Sequence, residues 1–360
     1  MNSRKRHFGR AFAPALAAGM CCLLAACGAS SPAIPTTTVT DVAHRSVRVP
    51  TTINRIADQW AAHVIIDELL GRGSAVVAVN SGVQKSHNPL LQEIDPHIAK
   101  ADAPCTNSGC NAEQMLKDAP DLVFWAGTTT GADSLQQQTG LPVYDLSGFT
   151  TFATMEADIT ATASVLGAAA QTKAAAYNSY LQKQVSDVQA AVKHATEPAP
   201  SVLHVLSTSQ GELTVDGSGT LIDTWITLAG GTDAAAKAGV KGNMVTINEE
   251  ELAAMNPDVI IFESGSGNSM AKARADLPGW DSLNAVRDNR VYQDPQGVFP
   301  WDRYGPEEAL QVQWAAQLLH PSAFPGLTMQ SVATDFYQRF FGYRLTPSDL
   351  ATMFAPLPAG

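Results

Sequence analysis

The sequence predicts an α/β protein in which two lobes are joined by one long helix. Short apolar runs alternate with amphipathic stretches from Arg55 to about residue 146, and the alternation returns after residue 200. Residues 155–195, between the two regions, contain one Gly and no Pro and are rich in Ala, Gln, Lys and Leu. A helix-then-strand unit occurs once in each half, as NAEQMLKDAPDLVF (111–124) and NEEELAAMNPDVII (248–261).

The first residues have the features of a lipoprotein signal. Residues 1–26 begin with four basic residues and no acid, and their apolar part is shorter than the about 20 residues that span a bilayer. The end of this segment, LAACG, resembles the bacterial lipoprotein box, so we expect cleavage before Cys27 and acylation of its thiol. The alternative is an ordinary secretory signal. We therefore expect a lipid-anchored protein in the periplasm or on the outer face of the cytoplasmic membrane.

Composition and periodicity divide the chain into five predicted segments. The stretch after Cys27 is rich in Ala, Ser, Pro and Thr without an apolar period, which predicts a flexible tether. The connecting helix would be roughly 60 Å long if it were continuous. The segments are a signal peptide (1–26), the tether (27–45), an N-terminal lobe (46–152), the connecting helix (153–196) and a C-terminal lobe with terminal helices (197–360).

The charge of the chain argues against some partners. Removal of the signal would take the formal net charge from −11 to −15, because four positive charges are lost. An acidic surface without Lys/Arg clusters does not favour nucleic acid or an anionic membrane. We expect a monomer that reaches the membrane only through its lipid.

Two cysteines, Cys105 and Cys110, remain after the signal and the lipidated residue are set aside. They lie in the short polar loop CTNSGC, in a compartment outside the reducing cytosol, which predicts a local disulfide. A metal pair is the alternative, but no second Cys or His pair stands nearby to complete four ligands.

Each repeated unit places a carboxylate at the start of its helix. Asn111 and Asn248 are predicted N-caps, and Glu113 and Glu250 lie in the first turns, where a negative charge favours the helix dipole. Each could be a solvated helix-start carboxylate. A matched pair, one per lobe, also suits docking onto a two-fold partner with basic pockets.

The order of these motifs resembles the class III substrate-binding proteins of bacterial ABC importers, the iron–siderophore, haem and vitamin B12 group. The resemblance covers about residues 46–345 and includes NAEQMLKDAPDLVFWAG, LAGGTDAAA, INEEELAAMNPDVIIF and WDSLNAVRDNRVYQD. It implies two Rossmann-like α/β lobes joined by a single long backbone helix, with ligand held in the cleft between the lobes. It also implies that Glu113 and Glu250 contact Arg pockets of a permease dimer, which works with a cytoplasmic ATPase. Glu249 and Glu251 are alternatives for the second contact.

Residues that follow the predicted strands are candidates for the cleft, because ligands in such folds meet the C-terminal ends of strands. In FPWDRYGPE, aromatic faces suit a macrocycle or catecholate, and a guanidinium pairs with carboxylates or hydroxamates. Alternatively, the Trp of this motif packs the hinge and its Arg pairs with an acid such as Glu307. The candidates are Trp60, Asn80, Trp125, Ser207, Glu263, Trp301, Arg303 and Tyr304.

The expected cargo is a metal chelate, with a ferric siderophore or related iron complex as the first choice. Cobalamin, haem, a nickel, cobalt or oxyanion cargo and a free divalent metal are alternatives. Direct metal binding needs about three His and an acid that converge in the cleft. His63, His194 and His320 lie within or at the ends of predicted helices and are expected to be structural, whereas His87 could reach a chelated metal. We predict no resident metal or cofactor.

The sequence lacks the motifs that common catalytic sites need. GSGNSMAK has no Gly-Lys-Ser/Thr ending, DGSGT and SGSGN are not nucleophile elbows, and no His–Glu zinc helix is present. A chelatase-like enzyme on the same fold is the remote alternative. We therefore expect a binding protein that delivers its ligand to a permease. One stiff helix between the lobes resists wide hinge motion, so ligand binding should change the shape little.

Overall fold

A computed structural model describes residues 34–146 and 148–359, and the unit that begins at Thr36 is compact. Cys27 and the predicted signal peptide lie outside the described residues. No helix among the described residues is both long and apolar enough to cross a membrane.

The second half of the predicted tether (27–45) is folded. Strand β1 (Thr36–Thr40) pairs antiparallel with β2 (Ser46–Pro50). The four Thr and one Val of β1 favour an extended backbone. The turn between the strands is fixed by a 2.7 Å ion pair between Asp41 and Arg45, and the backbone N–H of Asp145 donates to Asp41 Oδ2 at 3.2 Å. The folded part therefore includes residues 36–45, ahead of the predicted start at residue 46.

The N-terminal lobe is built on a six-stranded sheet with the order β6-β5-β4-β3-β7-β8, parallel except for the β5–β6 pair. Its strands are β3 (Ile56–Asp58), β4 (Val76–Asn80), β5 (Asp102–Thr106), β6 (Gly109–Cys110), β7 (Leu122–Trp125) and β8 (Val143–Asp145). Its helices are α1 (Ala61–Leu69), α2 (Ser81–Lys85), α3 (Pro89–Ile94), α4 (Ala112–Asp118), α5 (Thr129–Thr139) and α6 (Phe152–Leu166).

The C-terminal lobe follows α7 (Ala168–Val192) and contains a second six-stranded sheet, which is mixed. The strands are β9 (Ser201–Ser209), β10 (Glu212–Val215), β11 (Thr232–Asp233), β12 (Val245–Asn248), β13 (Val259–Phe262) and β14 (Val291–Gln293). The helices are α8 (Leu221–Leu228), α9 (Ala234–Lys237), α10 (Glu249–Met255), α11 (Met270–Asp276), α12 (Asn284–Arg287), α13 (Glu308–Leu319), α14 (Met329–Phe340) and α15 (Pro347–Met353). Short 3₁₀ turns occur at Gly73–Ala75, Ile98–Lys100, Trp280–Ser282 and Pro321–Ala323.

Both faces of each parallel strand are buried, which explains the continuous apolar runs in the sequence. Ile56 and Ala57 belong to different hydrophobic clusters on opposite faces of the N-terminal sheet, and Val202 and Leu203 do the same in the C-terminal sheet. The cluster that contains Ile56 and Val202 is continuous across both lobes. The predicted fold class, two α/β lobes joined by a long helix, is confirmed.

The connection between the lobes is shorter than predicted. Residues 153–196 do not form one helix, because the backbone breaks at Gly167 (φ 102°), which caps α6 and precedes α7. The two helices fold back on each other, and Asn178 Nδ2 donates to the carbonyl oxygen of Glu156 at 3.0 Å. Within residues 34–146 and 148–359, α7 is the helix that connects the two lobes. Its 25 residues span about 37 Å, not the 60 Å of a continuous rod.

The repeated unit has the same local structure in both lobes. Asn111 and Asn248 cap α4 and α10 by accepting a hydrogen bond from the backbone N–H three residues later. Both helices end at a left-handed residue, Ala119 (φ 44°) and Asn256 (φ 38°), followed by Pro. The prediction of one helix-then-strand unit per lobe is therefore confirmed.

Several polar contacts join the lobes in addition to α7. The Asn88 side chain, at the start of α3, donates to the carbonyl oxygens of Gly297 and Val298 at 2.7 and 3.0 Å. Thr224 Oγ1 donates to the carbonyl oxygen of Thr150 at 2.9 Å on another side. These bonds are directional, so they fix the orientation of one lobe against the other as well as the separation.

We expect Asn88→Ala to lower the free energy of unfolding by at least about 2 kcal/mol, because two buried carbonyls lose their donor and α3 loses its cap. Chemical denaturation measures this change. Asn54→Ala, which removes an exposed amide, is the control, and an equal small loss in both variants would show that Asn88 does not hold the lobes together.

Candidate functional site

A cavity of about 290 Å³ lies between the lobes, at the C-terminal ends of strands from both sheets. Its walls combine amides, hydroxyls and backbone with four apolar side chains and one carboxylate. The residues that line it are Ala61, Asn80, Gly82, Ser86, Asn88 and Asn107 of the N-terminal lobe and Glu263, Ser264, Gly265, Ser266, Gln296, Val298, Phe299 and Pro300 of the C-terminal lobe.

Other cavities are less suited to a ligand site. Spaces of about 410 and 630 Å³ include Ser201 and Asp258 among their walls, which places them at the N-terminal ends of β9 and β13. A space of about 360 Å³ shares Ser86, Asn88 and Gln296 with the inter-lobe cavity, so the cleft continues in that direction. Position in the fold favours the inter-lobe cavity, although some of the other spaces are larger.

The N-terminal wall of the cleft is rigid because its amides bind one another. Asn80, the last residue of β4, donates through Nδ2 to Asn107 Oδ1 at 2.9 Å and to the carbonyl oxygen of Gln59 at 2.8 Å. Its Oδ1 accepts from the N–H of Gly82 at 2.8 Å. Asn107 lies in the turn between β5 and β6, where Cys105 and Cys110 form a disulfide. The disulfide thus holds an amide of the binding wall.

The C-terminal wall rests on a buried network of charges. Arg303 Nε lies 3.5 Å from Glu263 Oε1, and its Nη1 lies 3.0 Å from Asp216 Oδ2. His204 contacts Asp216 at 3.1 Å through Nδ1 and Asp302 at 2.5 Å through Nε2. Each of the two basic groups therefore contacts two carboxylates, and Glu263 is the member of this network that faces the cavity.

This network shifts the pKa values of its members. Burial raises the pKa of Glu263 to about 7, and the charge of Asp302 adds to this rise while Arg303 opposes it. Burial alone would lower the pKa of His204, but hydrogen bonds with Asp216 and Asp302 outweigh it and raise the pKa to about 10. His204 is therefore protonated at neutral pH, and Glu263 changes its charge near neutral pH.

Three aromatic rings close the cleft beside the cavity. Trp60 lies 5.1 Å from Phe149 and 6.1 Å from Tyr304, measured between ring centroids, and Phe149 lies 5.8 Å from Tyr304. The hydroxyl of Tyr304 donates to Asn243 Oδ1, and the Arg303 guanidinium lies 5.5 Å from the Tyr304 ring centroid. Trp60 and Tyr304 therefore contact each other across the lobes and do not line the cavity.

The structure places Asn80 and Glu263 on the cavity wall, and it places the other six predicted residues elsewhere. Trp301 is fully buried against Phe354 at 5.4 Å, so it packs behind the loop. Trp125 is buried, and its Nε1 donates to the carbonyl oxygen of Thr128 at 3.0 Å. Ser207 contacts Thr214 on the neighbouring strand at 3.4 Å. Arg303 stands behind Glu263 and not on the cavity wall.

Sequence reasoning missed Asn88, Asn107 and Gln296, which also line the cavity. Asn107 directly follows β5, but its sequence CTNSGC indicates a polar disulfide loop and not a strand, and Asn88 and Gln296 do not directly follow a strand. His87 is exposed, with φ 46°, between the lining residues Ser86 and Asn88, but it does not line the cavity itself.

Comparison with known proteins decides between binding and catalysis. The family model described as periplasmic binding protein matches residues 63–297, about two thirds of the chain. The chain belongs to this family. The resemblance to class III binding proteins is thereby confirmed, and so is the prediction of a binding protein and not an enzyme.

Two curated relatives cover most of the chain. The molybdate-binding protein MolA of Haemophilus influenzae is 24% identical over 91% of this chain and 98% of its own length. The uncharacterised ABC transporter substrate-binding lipoprotein YvrC of Bacillus subtilis is 23% identical over 80% of this chain and 86% of its own.

Solved structures share the fold. A periplasmic solute-binding protein from Veillonella parvula has a TM-score of 0.76 and 25% identity, and covers 89% of this chain and 97% of its own. MolA bound to molybdate also has a TM-score of 0.76, at 19% identity, and covers 86% of this chain and 99% of its own.

We expect the protein to be more stable at pH 6 than at pH 9. The folded-state pKa values of Glu263 and His204 lie above their ordinary values, so the folded protein holds these protons longer than the unfolded chain. The stabilisation by these two protonated groups is complete below their ordinary pKa values. It is lost as the pH rises towards 7 for Glu263 and towards 10 for His204. The free energy of unfolding should fall by on the order of 2–4 kcal/mol from pH 6 to 9.

Urea denaturation at each pH measures this trend. His204→Gln should flatten the pH dependence between pH 7 and 9, where His204 dominates. Stability that stays level or rises from pH 6 to 9 would contradict the assigned protonation of this network.

Proposed function

We propose that the protein captures a small metal chelate without net negative charge and delivers it to the permease of an ABC importer. A ferric siderophore of the hydroxamate type, or a related iron complex, is the leading cargo. The observation that supports this is the composition of the cleft, in which amides and hydroxyls surround a single carboxylate, Glu263.

The charge of the cleft favours such a cargo over an oxyanion. None of the described residues that line the cavity is Lys, Arg or His. The nearest guanidinium, Arg303, is already engaged by Glu263 and Asp216. An anion in the cavity would meet Glu263 without a free cationic partner, whereas a neutral or cationic complex would not.

The same lining disfavours a bare metal ion and a macrocycle. One carboxylate and no imidazole among the lining residues are too few ligands for a free transition metal, so the metal must bring its own chelator. Haem or cobalamin needs broad apolar walls, but the rings of Trp60, Phe149 and Tyr304 are packed against one another.

Molybdate is the second candidate, because the relative MolA, which aligns over 91% of this chain, is named for binding it. Amide N–H and hydroxyl groups such as those of Asn107 and Ser264 can donate to an oxyanion as well as to a chelate. The carboxylate of Glu263 is the feature that counts against this candidate.

Delivery to the permease is proposed to involve Glu113 and Glu250. Both side chains are exposed in the first turn of corresponding helices, and neither has a hydrogen bond or ion pair among the described residues. Glu249 accepts from the N–H of Gly279, and Glu251 accepts from the N–H of Asn248 at 2.8 Å. Of the three carboxylates at the start of α10, Glu250 is therefore the one available to a basic partner.

We expect a small ferric hydroxamate complex to quench the fluorescence of Trp60, which is half-buried next to the lining residue Ala61. The ligand panel contains ferric hydroxamates, a ferric catecholate, haemin, cobalamin, nickel–histidine, molybdate and free zinc. Trp60→Phe should abolish the signal while calorimetry still detects binding. Binding of molybdate alone would overturn the chelate assignment, and binding of free zinc alone at the cleft would overturn the need for a chelator.

For a cationic cargo we expect the affinity to fall about tenfold between pH 8 and pH 6, because the ionised form of Glu263, whose pKa is about 7, attracts the complex. Glu263→Gln should bind more weakly at pH 8 and lose the pH dependence. A cargo whose affinity rises as pH falls would indicate that Glu263 repels it, which is the result expected for an oxyanion.

We expect Glu113→Ala combined with Glu250→Ala to reduce cargo uptake by cells at least tenfold and to leave the dissociation constant of the cargo unchanged. Asp335→Ala, which removes an exposed carboxylate from α14, is the control. Normal uptake by the double variant would show that these carboxylates do not dock the permease.

A further inference from the structure

A second polar cluster lies in the interior of the N-terminal lobe, outside the lining of the cleft. His63 and Asp67 are one turn apart on α1, so they lie on the same face of the helix. Asp158 and Thr162 have the same spacing on α6, and Asp58 ends β3. All five side chains are buried, with at most 3% of any residue exposed.

Three members of this cluster present metal-ligand atoms to one another. One carboxylate oxygen each of Asp58 and Asp67 and one ring nitrogen of His63 lie within 4.8 Å of each other. His63 Nδ1 is 2.6 Å from Asp58 Oδ2, and His63 Nε2 is 2.9 Å from Thr162 Oγ1. Thr162 thus holds the ring so that Nδ1 faces the carboxylates, as the outer partner of a metal-bound imidazole does.

The carboxylates of the cluster lack the partners that buried charges need. Both oxygens of Asp158 have no hydrogen-bond partner among the described residues, and Asp67 can bond within the cluster only to the carboxylate of Asp58, which requires a proton between the two acids. The nearby Arg72 donates instead to the carbonyl oxygens of Leu166 and Ile53. An unpaired buried carboxylate costs several kcal/mol, so this arrangement requires a further positive group.

Protons alone satisfy this requirement poorly. A protonated Asp67 could donate to Asp58, but Asp158 lies on another helix and has no acceptor for a proton of its own among the described residues. The carboxylate of Asp158 therefore has no partner within the described fold, and a bound cation would supply one.

We propose that Asp58, His63 and Asp67 bind a divalent transition-metal ion, with Zn²⁺ as the best match, and that the buried carboxylate of Asp158 helps to balance its charge from outside the ligand set. One imidazole and two carboxylates form a ligand set suited to zinc, with bonds of about 2.0–2.2 Å. Such bonds separate neighbouring ligand atoms by roughly 3.3 Å, so Asp58 and His63 would move apart by several tenths of an ångström from their present 2.6 Å.

This ion would be a structural element and not the cargo. Its ligands are buried, so the ion would enter while the N-terminal lobe folds and would leave only when that lobe opens. It would tie the end of β3 to α1 and α6, which lie beneath the N-terminal side of the cleft. The proposal does not depend on the identity of the transported ligand.

The test begins with the unaltered protein. It is unfolded in guanidinium with a chelator and refolded either with Zn²⁺ or with the chelator, and metal content and thermal unfolding are then measured. We expect one zinc per chain that survives dialysis against chelator at neutral pH, and a higher melting temperature for the zinc-loaded form. Equal melting temperatures and no retained zinc would overturn the proposal without any mutation.

Variants then locate the ion. Asp67→Asn and His63→Gln should lower the affinity for zinc at least about tenfold. Asp294→Asn, which alters another buried carboxylate with an unpartnered oxygen but in the C-terminal lobe, should retain zinc fully. Glu263→Gln should also retain it, which separates this site from the cleft. Zinc that is lost in Glu263→Gln but kept in Asp67→Asn would assign the metal to the cleft and contradict the proposal.

Discussion

The single crossing of the chain between the lobes, as α7, is the constraint on which the rest of the structure depends. A hydrophobic cluster continues along this helix from the N-terminal lobe into α13 and α14, and Asn88 adds directional bonds to the loop at Gly297 and Val298. Because one stiff helix and these bonds set the relation of the lobes, their strand ends face each other at a fixed distance. The cleft is therefore formed before any ligand enters it.

The two lobes differ in how their buried charged groups are paired. In the C-terminal lobe, Arg303 and His204 lie among carboxylates, and the one acid that reaches the cavity, Glu263, is supported from behind. In the N-terminal lobe, the carboxylates of Asp58 and Asp67 share the imidazole of His63, and Asp158 has no hydrogen-bond partner among the described residues. In the C-terminal lobe the cations are already paired with carboxylates and the pKa of Glu263 is shifted. For this reason we propose a neutral or cationic complex as the cargo. The arrangement in the N-terminal lobe requires a cation from solution.

Much of the fold could be predicted from the sequence because helix and strand periods are local properties. The N-caps Asn111 and Asn248 are such features, and the structure forms both helices as the pattern indicates. Failures occurred where tertiary contacts decide. Gly167 breaks the rod because α6 folds back on α7, and Trp301 turns inward to Phe354. Asn107 lines the cleft because it lies in the turn between β5 and β6, and the sequence pattern does not predict where that turn lies in the fold.

Small-angle scattering of the protein with and without saturating cargo tests the central claim most directly, because a preformed cleft and a closing hinge give different results. A fixed inter-lobe geometry predicts a radius of gyration that changes by less than about 1 Å, as in complexes whose partners are pre-organised. A contraction of several ångströms on cargo binding would mean that the lobes separate in the free protein. In that case neither α7 nor Asn88 sets the geometry of the site.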